Sequence, residues 1–428
     1  MDHILHLKCL ICGREYSPHE IEYVCPEHGR EGVLDVRYDY ELIARRFSRE
    51  HLQESEAYTM WRYKALLPVA AGAVTPPLTV GWTPLYETPR LAKRLGLSTL
   101  WVKDEGRQPT ASFKDRASAV AVVKAQEQGA QVITTASTGN AAAALSGLCA
   151  SVGLANVIFV PANAPQAKLA QLLVFGSTVM LVEGSYDDAF ELCQEAAAEY
   201  GWYNRNTGYN PYMTEGKKTA SLEICEQLGW KAPDAIFVSV GDGSIIGGVH
   251  KGLKDLYALG WIDRMPRLYG VQAAGSDYLV QAWEENADVL TKEPIVANCV
   301  ADSISAGLPR DRIKAMAAVK ESGGGYIRVS DDEILAAIPA LARDSGVFAE
   351  PAGAAGFAGL VTAVEQGLVS RDERIVVLNT GNGLKDINSA LKAVDLVGTK
   401  AFRVTPSMDD LRPVLSQVSG TSNVTGAS

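Results

Sequence analysis

Four short segments carry residue types that could do chemistry together. In Gln108-Pro-Thr-Ala-Ser-Phe-Lys114-Asp-Arg116 a proline-containing loop runs into a helix with Ser112 in its first turn and Lys114 just inside it. A lysine at a helix start is ordinarily a solvated side chain. Here the following Ala117-Ser-Ala-Val-Ala-Val-Val run reads as a buried helix, so its first turn faces the interior. An amine withdrawn from water has a lowered pKa and can form a Schiff base and carry protons. Ser137, Thr138, Gly139 and Asn140 follow the strand Val132–Thr135 and open the next helix. Free N–H groups there make either an anion site suited to a carboxylate or a plain N-cap.

The third segment, Val240-Gly241-Asp242-Gly243-Ser244-Ile-Ile-Gly247-Gly248, again lies between a strand and a helix. Its glycines let backbone N–H groups converge on a phosphate. The spacing of Gly241, Gly243 and Gly247 is one residue too long for a dinucleotide fingerprint, and the next strand, Leu268–Gln272, ends without an acid to hold a ribose. There is no Walker-type loop either, so a small phosphorylated cofactor fits better than NAD or ATP. In the fourth segment, Leu378-Asn-Thr380-Gly-Asn-Gly-Leu-Lys385-Asp386, Thr380 offers a hydroxyl to a ring nitrogen or is a satisfied turn residue.

A separate cluster opens the chain. Cys9 and Cys12 form one pair spaced by two residues, Cys25 and His28 another. Two such pairs suit one tetrahedral Zn²⁺, and four protein ligands leave no open position, so the metal is structural. The alternative is reduced cysteines in a surface turn, and His19 is a less well spaced substitute for His28. Cys149, Cys193, Cys225 and Cys299 sit singly in apolar surroundings and read as buried small hydrophobes. Five of the six histidines fall at or before His51, leaving only His250 for the main body, which disfavours His-based hydrolase chemistry.

The elements that must position these groups show in the periodicity. Short, mostly β-branched runs at Thr99–Lys103, Val132–Thr135, Val157–Val160, Val179–Val182, Ala235–Val240, Leu268–Gln272 and Ile375–Leu378 alternate with Ala-rich helical segments at 116–128, 141–152, 187–199 and 219–228. The expected fold is α/β with two doubly wound open-sheet units. The organisation read from this is a knuckle over 1–30, a helical wrap over 31–98, and a smaller unit over 99–235 carrying Lys114 and the Asn140 loop. A larger unit with the phosphate loop spans 236–400, and a disordered Ser/Thr/Gly-rich tail 415–428. The chain has 428 residues and a net charge of −10, from 40 basic and 50 acidic side chains. That charge suits neither nucleic acid nor an anionic membrane as partner. No run approaches the roughly 20 apolar residues of a spanning helix. The first residues lack the order of a secretion signal, so a cytoplasmic protein is expected.

Together the four segments resemble the fold type II pyridoxal-phosphate enzymes of the tryptophan synthase β-like superfamily, and the threonine synthase branch in particular. The branch's Asn-Pro-Thr-Gly-Ser-Phe-Lys-Asp-Arg stands here as Gln108 to Arg116. The resemblance continues through Ser137–Asn140, Asn210-Pro-Tyr-Met-Thr-Glu-Gly-Lys-Lys-Thr219, Gly241–Ser244, Glu350-Pro-Ala-Gly353 and Thr380–Asp386. It implies pyridoxal 5′-phosphate as cofactor, Lys114 as its Schiff-base lysine, and Phe113 beside the ring. It likewise implies Asn140 on the phenolic oxygen, Gly241, Asp242, Gly243 and Ser244 as phosphate cup, and Thr380 on the pyridine nitrogen. Ser137, Thr138, Gly139, Arg116 and Lys217 are then placed at a small amino-acid substrate. The branch often carries a Cys-rich knuckle and is often dimeric, which implies zinc and a homodimer. The implied activity is a lyase converting O-phosphohomoserine and water to threonine and phosphate.

The departures fall where the substrate would sit. Gln108 replaces Asn, Ala111 and Ala117 replace Gly, and Asn382 stands where the branch often has His. Met213 stands where the branch has an Arg, and Gly208 where it has a Ser, the pair that holds the substrate's phosphate. Lys217 replaces a Gln and Arg205 lies nearby, so positive charge is available for a rebuilt clamp. The same body with another leaving group would be a dehydratase, an ammonia-lyase or a β-replacing synthase. A catalytically dead body on a zinc knuckle is the reading outside enzymology, and the intact Ser-Phe-Lys-Asp-Arg motif opposes it.

Overall fold

Alternate residues of the strand Ala235–Ser239 belong to different cores. Ile236 and Val238 pack into one set of buried side chains, Ala235 and Phe237 into another, and Ile375–Leu378 divides in the same way. A sheet so patterned must be covered on both faces, as parallel strands with helical crossovers are. The computed structural model describes residues 1–164 and 166–415. In it the strands Gly325–Val329, Arg267–Ala273, Ala235–Ser239, Arg374–Asn379, Thr99–Asp104 and Leu85–Glu87 lie side by side in that order, parallel except for the last pair. A second, four-stranded parallel sheet runs Thr178–Val182, Ala155–Pro161, Val132–Ala136, Tyr203–Asn204. The α/β architecture of two open-sheet units is therefore present.

The unit boundary differs from the expected one. Thr99–Asp104, expected to open the smaller unit at 99, hydrogen-bonds along Arg374–Asn379 in the larger sheet. Only residues from Val132 to Asn204 build the smaller sheet. Sequence order could not reveal this, because the strand that pairs with Thr99–Asp104 arrives nearly three hundred residues later. The knuckle is likewise not confined to 1–30: Ile4–Cys9 pairs antiparallel with both Glu15–Tyr16 and Leu34–Tyr38. The wrap after it holds the helices Tyr40–Arg46 and Arg49–Glu54 and the 3₁₀ turn Met60–Leu66. The tail expected over 415–428 lies outside the described residues except for Leu415, the last residue of the helix Met408–Leu415. Among the described residues no helix is long and apolar enough to cross a membrane.

The helix Lys114–Glu127 packs the apolar residues Ala117 to Ala125 into the core and is fixed at its start by charge. Arg116, expected at the substrate, is wholly buried and does not line the cavity described below. Its Nε and Nη2 donate to Glu105 at 2.7 and 2.8 Å, its Nη1 and Nη2 to Glu223 at 2.6 and 2.7 Å. Lys103 Nζ donates to Glu223 Oε2 at 2.7 Å and to the Thr83 carbonyl at 2.8 Å. Gln108, which replaces the branch's Asn, closes the network by donating to Glu105 at 2.8 Å and accepting from Gly81 N. Burial and the two carboxylates lock this guanidinium as a strut beneath the lysine. Removing one partner leaves charge uncompensated in a dry interior. Glu223→Ala should therefore lower the unfolding free energy by about 3–5 kcal/mol. Urea denaturation checks this, and a loss under 1 kcal/mol would show that the cluster is not an anchor.

Candidate active site

A cavity of about 730 Å³ lies between the two sheets, at the carboxyl ends of the strands Val132–Ala136 and Ala235–Ser239. Open parallel sheets place their ligands there, because strand ends and helix starts leave polar backbone groups facing one crevice. Lys114, Ser137, Thr138, Gly139, Asn140, Lys217 and the whole Gly241–Ser244 loop line it. Phe113 and Thr380 do not. Phe113 is fully buried and its N–H donates to the Thr380 carbonyl at 2.9 Å, so this pair fixes the start of the lysine helix from behind.

Three helix starts converge on the cavity. Lys114 opens Lys114–Glu127, Asn140 opens Asn140–Val152, and Gly243 caps Ser244–Ala258 with φ +86°. A Cβ at Gly243 would stand 2.6 Å from Ala315 Cβ, so neither its conformation nor its packing admits a side chain. The unpaired N–H groups of that helix start, with its dipole, favour an anion. The preceding loop bends sharply at Ala111, which holds φ +64° where the branch has Gly. Ala111 is tied there by N–H to the Gln108 carbonyl and by its own carbonyl to Asn382 N at 3.0 Å.

Burial shifts the titratable groups that line the cavity toward their neutral forms. Burial lowers the Lys114 amine below the usual lysine range, opposed by Glu350 and Asp242 and reinforced by Arg205. Burial, then Arg205 and Lys114, drives Lys217 well below it. Lys217 Nζ donates to Ser244 Oγ and, at 3.3 Å, to Thr207 Oγ1. Burial raises the Asp242 carboxyl.

Several residues of the site were not singled out from the sequence. Glu350, the N-cap of Pro351–Glu365, accepts from Asn140 Nδ2 at 2.6 Å and so ties the smaller sheet to the larger across the cavity. Burial pushes its carboxyl up to about 7, against the pull of Lys385, Asn140 and Lys114. Its acid-before-proline position in Glu350-Pro-Ala-Gly353 was the available signal. Arg310 also lines the cavity, pairing with Asp187 at 3.3 Å and stacking over Phe190 at 4.8 Å. Gly208, at φ +72°, makes room for it: a Cβ there would stand 2.3 Å from Arg310 Cβ. Met213 is buried in the core away from the cavity.

The residues present fit pyridoxal phosphate. The glycine cradle at a helix start accepts a phosphate, and a half-buried amine with a lowered pKa is available for an aldehyde. Ser112 Oγ is buried beside them without a hydrogen-bond partner. At the other end of the chain Cys9, Cys12, Cys25 and His28 bring one donor atom each within 4.8 Å of all the others. Cys12 Sγ to Cys25 Sγ is 3.9 Å, close to the edge of about 3.8 Å that 2.3 Å Zn–S bonds give a tetrahedron. The cluster could hold a metal ion.

Comparison with known proteins agrees with this geometry. Residues 77–381 match the pyridoxal-phosphate dependent enzyme family. The chain is 39% identical to the threonine synthase of Methanocaldococcus jannaschii over 96% of this chain and 99% of that one. It is 42% identical to that of Methanosarcina acetivorans over 89% and 92%. Among solved structures, threonine deaminase isoform 2 of Solanum lycopersicum superposes with a TM-score of 0.64 at 23% identity, covering 82% of this chain and 89% of that one. Diaminopropionate ammonia lyase of Escherichia coli gives 0.64 at 18% identity, covering 82% and 93%. These two share the fold.

Glu350 makes a pH dependence expected. Folded, it keeps its proton to about pH 7, whereas its ordinary value is 4.5. A raised carboxyl contributes stability that is fully present below the unfolded value and lost as pH rises through the folded one. In the ligand-free protein, Glu350→Gln should thus flatten the decline in unfolding free energy between pH 4.5 and 7 relative to the unaltered chain. Denaturant titrations across that window check it, and parallel curves would contradict it.

Proposed function

The chain belongs to the pyridoxal-phosphate-dependent enzyme family and is a lyase of it; from that premise we propose that it forms threonine and inorganic phosphate from O-phosphohomoserine and water. The observation that carries the substrate assignment is the gathering of Arg205, Lys217 and Arg310 around the cavity that Lys114 enters. Their mutual repulsion is relieved by a dianion, and an Arg offers it a bidentate, permanently charged grip. Arg310 is free to make that exchange, because its present partner Asp187 is largely exposed and such pairs contribute little. It stands in the space that the branch's Ser would fill at position 208.

Pyridoxal phosphate, held by Lys114 and the Gly241–Ser244 loop, supplies an electron sink for the charge left when a carbon-bound proton is removed. Lys114, biased toward the neutral amine by burial, takes the α-proton and returns it at the end. Asn140, braced by Glu350, orients the ring. Ser137, Thr138 and Gly139, at the start of the helix Asn140–Val152, receive the substrate's carboxylate. A Cβ proton is also lost and a proton is delivered to Cγ, which becomes the methyl group as its C–O bond breaks and phosphate leaves; a new C–O bond then forms at Cβ as water adds and gives up a proton. The knuckle is read as a structural Zn²⁺ site of Cys9, Cys12, Cys25 and His28.

The second reading keeps the cofactor and changes the amino acid, as a dehydratase, ammonia-lyase or β-replacing synthase. The burial of Met213 and the closure at Gly208 favour it, since neither can hold a phosphate. Phosphate release from O-phosphohomoserine, set against keto-acid release from threonine or serine, separates the two; no phosphate release would eliminate the first. Arg310→Ala should raise KM for O-phosphohomoserine by about ten- to a hundredfold, as loss of a charged hydrogen bond does. Borohydride should fix the cofactor on Lys114, and Lys114→Ala should abolish both the label and turnover.

A further inference from the structure

Among the described residues, the Cys/His knuckle touches the elements that carry the cavity residues Arg310, Arg205 and Thr207. Arg30 and Glu31, in the 3₁₀ turn Gly29–Glu31 that directly follows the ligand His28, reach in different directions. Glu31 Oε2 accepts from Arg312 Nη2, and Arg30 pairs with Glu191. Arg312 is nearly buried and also donates to the carbonyls of Val289 at 2.7 Å and Pro309 at 3.2 Å, so Glu31 supplies the carboxylate that a dry guanidinium requires. The stretch ending at Arg312 is keyed to the phosphate loop: Asp311 N donates to the Asp242 carbonyl at 2.8 Å, and Arg310 N approaches Asp242 Oδ1 at 3.4 Å. Glu191 shares the helix Tyr186–Tyr200 with Asp187 and Phe190, the two residues that hold the Arg310 side chain. A third contact completes the set. Tyr23 Oη accepts from Asn204 N at 2.9 Å and its ring stacks on Tyr209 at 4.9 Å, bracketing the cavity residues Arg205 and Thr207.

We propose that Glu31, with Arg30 and Tyr23, makes the knuckle a positioning device for the phosphate-binding wall, so that metal at Cys9, Cys12, Cys25 and His28 governs affinity for the phosphorylated substrate without entering the chemistry. The proposal rests on the reading of Arg205, Lys217 and Arg310 as a phosphate clamp. Three segments that are distant in sequence, 204–209, 186–191 and 309–312, share the knuckle as their common support. Apart from the four candidate ligands, the 17–28 stretch is joined to the rest of the knuckle by few contacts, chiefly the isolated bridge Val24–Val33, the Cys25 N–H to the Gly32 carbonyl and the exposed Arg14–Glu27 pair, because the two strand pairings lie outside it. Stripping the metal therefore loosens the part that carries Tyr23, Arg30 and Glu31 and leaves the sheets and Lys114 in place.

The test uses the full-length holoenzyme, as isolated, after chelation, and reloaded with Zn²⁺, together with Glu31→Gln. Metal per chain, KM and kcat for phosphate release, inhibition by inorganic phosphate, and hydrogen exchange are measured on each. Glu31→Gln should keep its metal, raise KM and weaken phosphate inhibition about five- to tenfold, and leave kcat within about twofold. Exchange should quicken in 186–193, 204–209 and 308–314. Chelation should reproduce that pattern and Zn²⁺ reverse it. Because Glu31→Gln could act through the fold at large, Glu31→Asp, which keeps a carboxylate facing Arg312, is the control, and its KM and exchange rates should lie closer to those of the unaltered chain than those of Glu31→Gln. Unaltered exchange and KM in Glu31→Gln, or a loss confined to kcat, overturns the proposal. An enzyme that releases no phosphate at all but still shows the exchange changes overturns the substrate reading and leaves the coupling standing.

Discussion

A guanidinium with no access to water can be kept only where carboxylates surround it, and Arg116 meets that condition with Glu105 and Glu223. The rest of the site follows from this strut. It sets where the helix Lys114–Glu127 begins, two residues before Arg116 in the chain, and hence where the amine of Lys114 emerges. Glu223 belongs to the helix Tyr212–Gln227 and Glu105 to the turn after the strand Thr99–Asp104, so one side chain registers helix, sheet and cavity against each other. The neighbouring Lys103 shares Glu223, leaving two cations and two carboxylates in one buried set. Such a set contributes little net stability compared with apolar packing, but it tolerates no slippage, and a lysine that must meet a cofactor needs that precision of placement.

Above the strut the charges are deliberately unbalanced. Lys114, Lys217, Arg205, Arg310 and Asp242 share one cavity, with Glu350 behind Asn140 at its edge, and burial moves Lys114, Lys217, Asp242 and Glu350 toward their neutral forms. In water such a collection would relax by hydration. Inside the crevice, where hydration is limited, the same charges favour an anion at the helix start after Gly243. The hydrogen bond from Asn140 to Glu350 crosses between the two sheets, so a side chain that lines the cavity also holds the units together.

The departures from the threonine synthase pattern acquire physical reasons in this setting. Gln108 is longer than the Asn it replaces and reaches Glu105 and Gly81 at once. Gly208 is needed because Arg310 occupies the place of its Cβ. Met213 fills core volume instead of carrying charge. Gly208 and Arg310 pack as one unit, the missing Cβ of the first leaving room for that of the second.

Local pattern alone was enough for the strands that β-branched runs mark, for the presence of a helix after each chemical segment, and for the Cys/His pairs, although the first of those helices opens at Lys114 and leaves Ser112, expected in its first turn, outside it. Each of these is a property of residues within a dozen positions of one another, which is the range over which period and capping act. The role of Arg116 was not legible, because its partners lie on either side of it in sequence and its burial depends on both. Nor was the unit to which Thr99–Asp104 belongs, since parallel pairing joins strands that are remote along the chain. Glu350 and Arg310 became site residues only through distance in space. Residue types and their local spacing were sufficient for the family: an amine near a helix start, a glycine turn after a strand and a Cys/His set. Which cations face the cavity and which are spent beneath it was settled by folding, because burial and charge pairing are properties of neighbours remote in sequence.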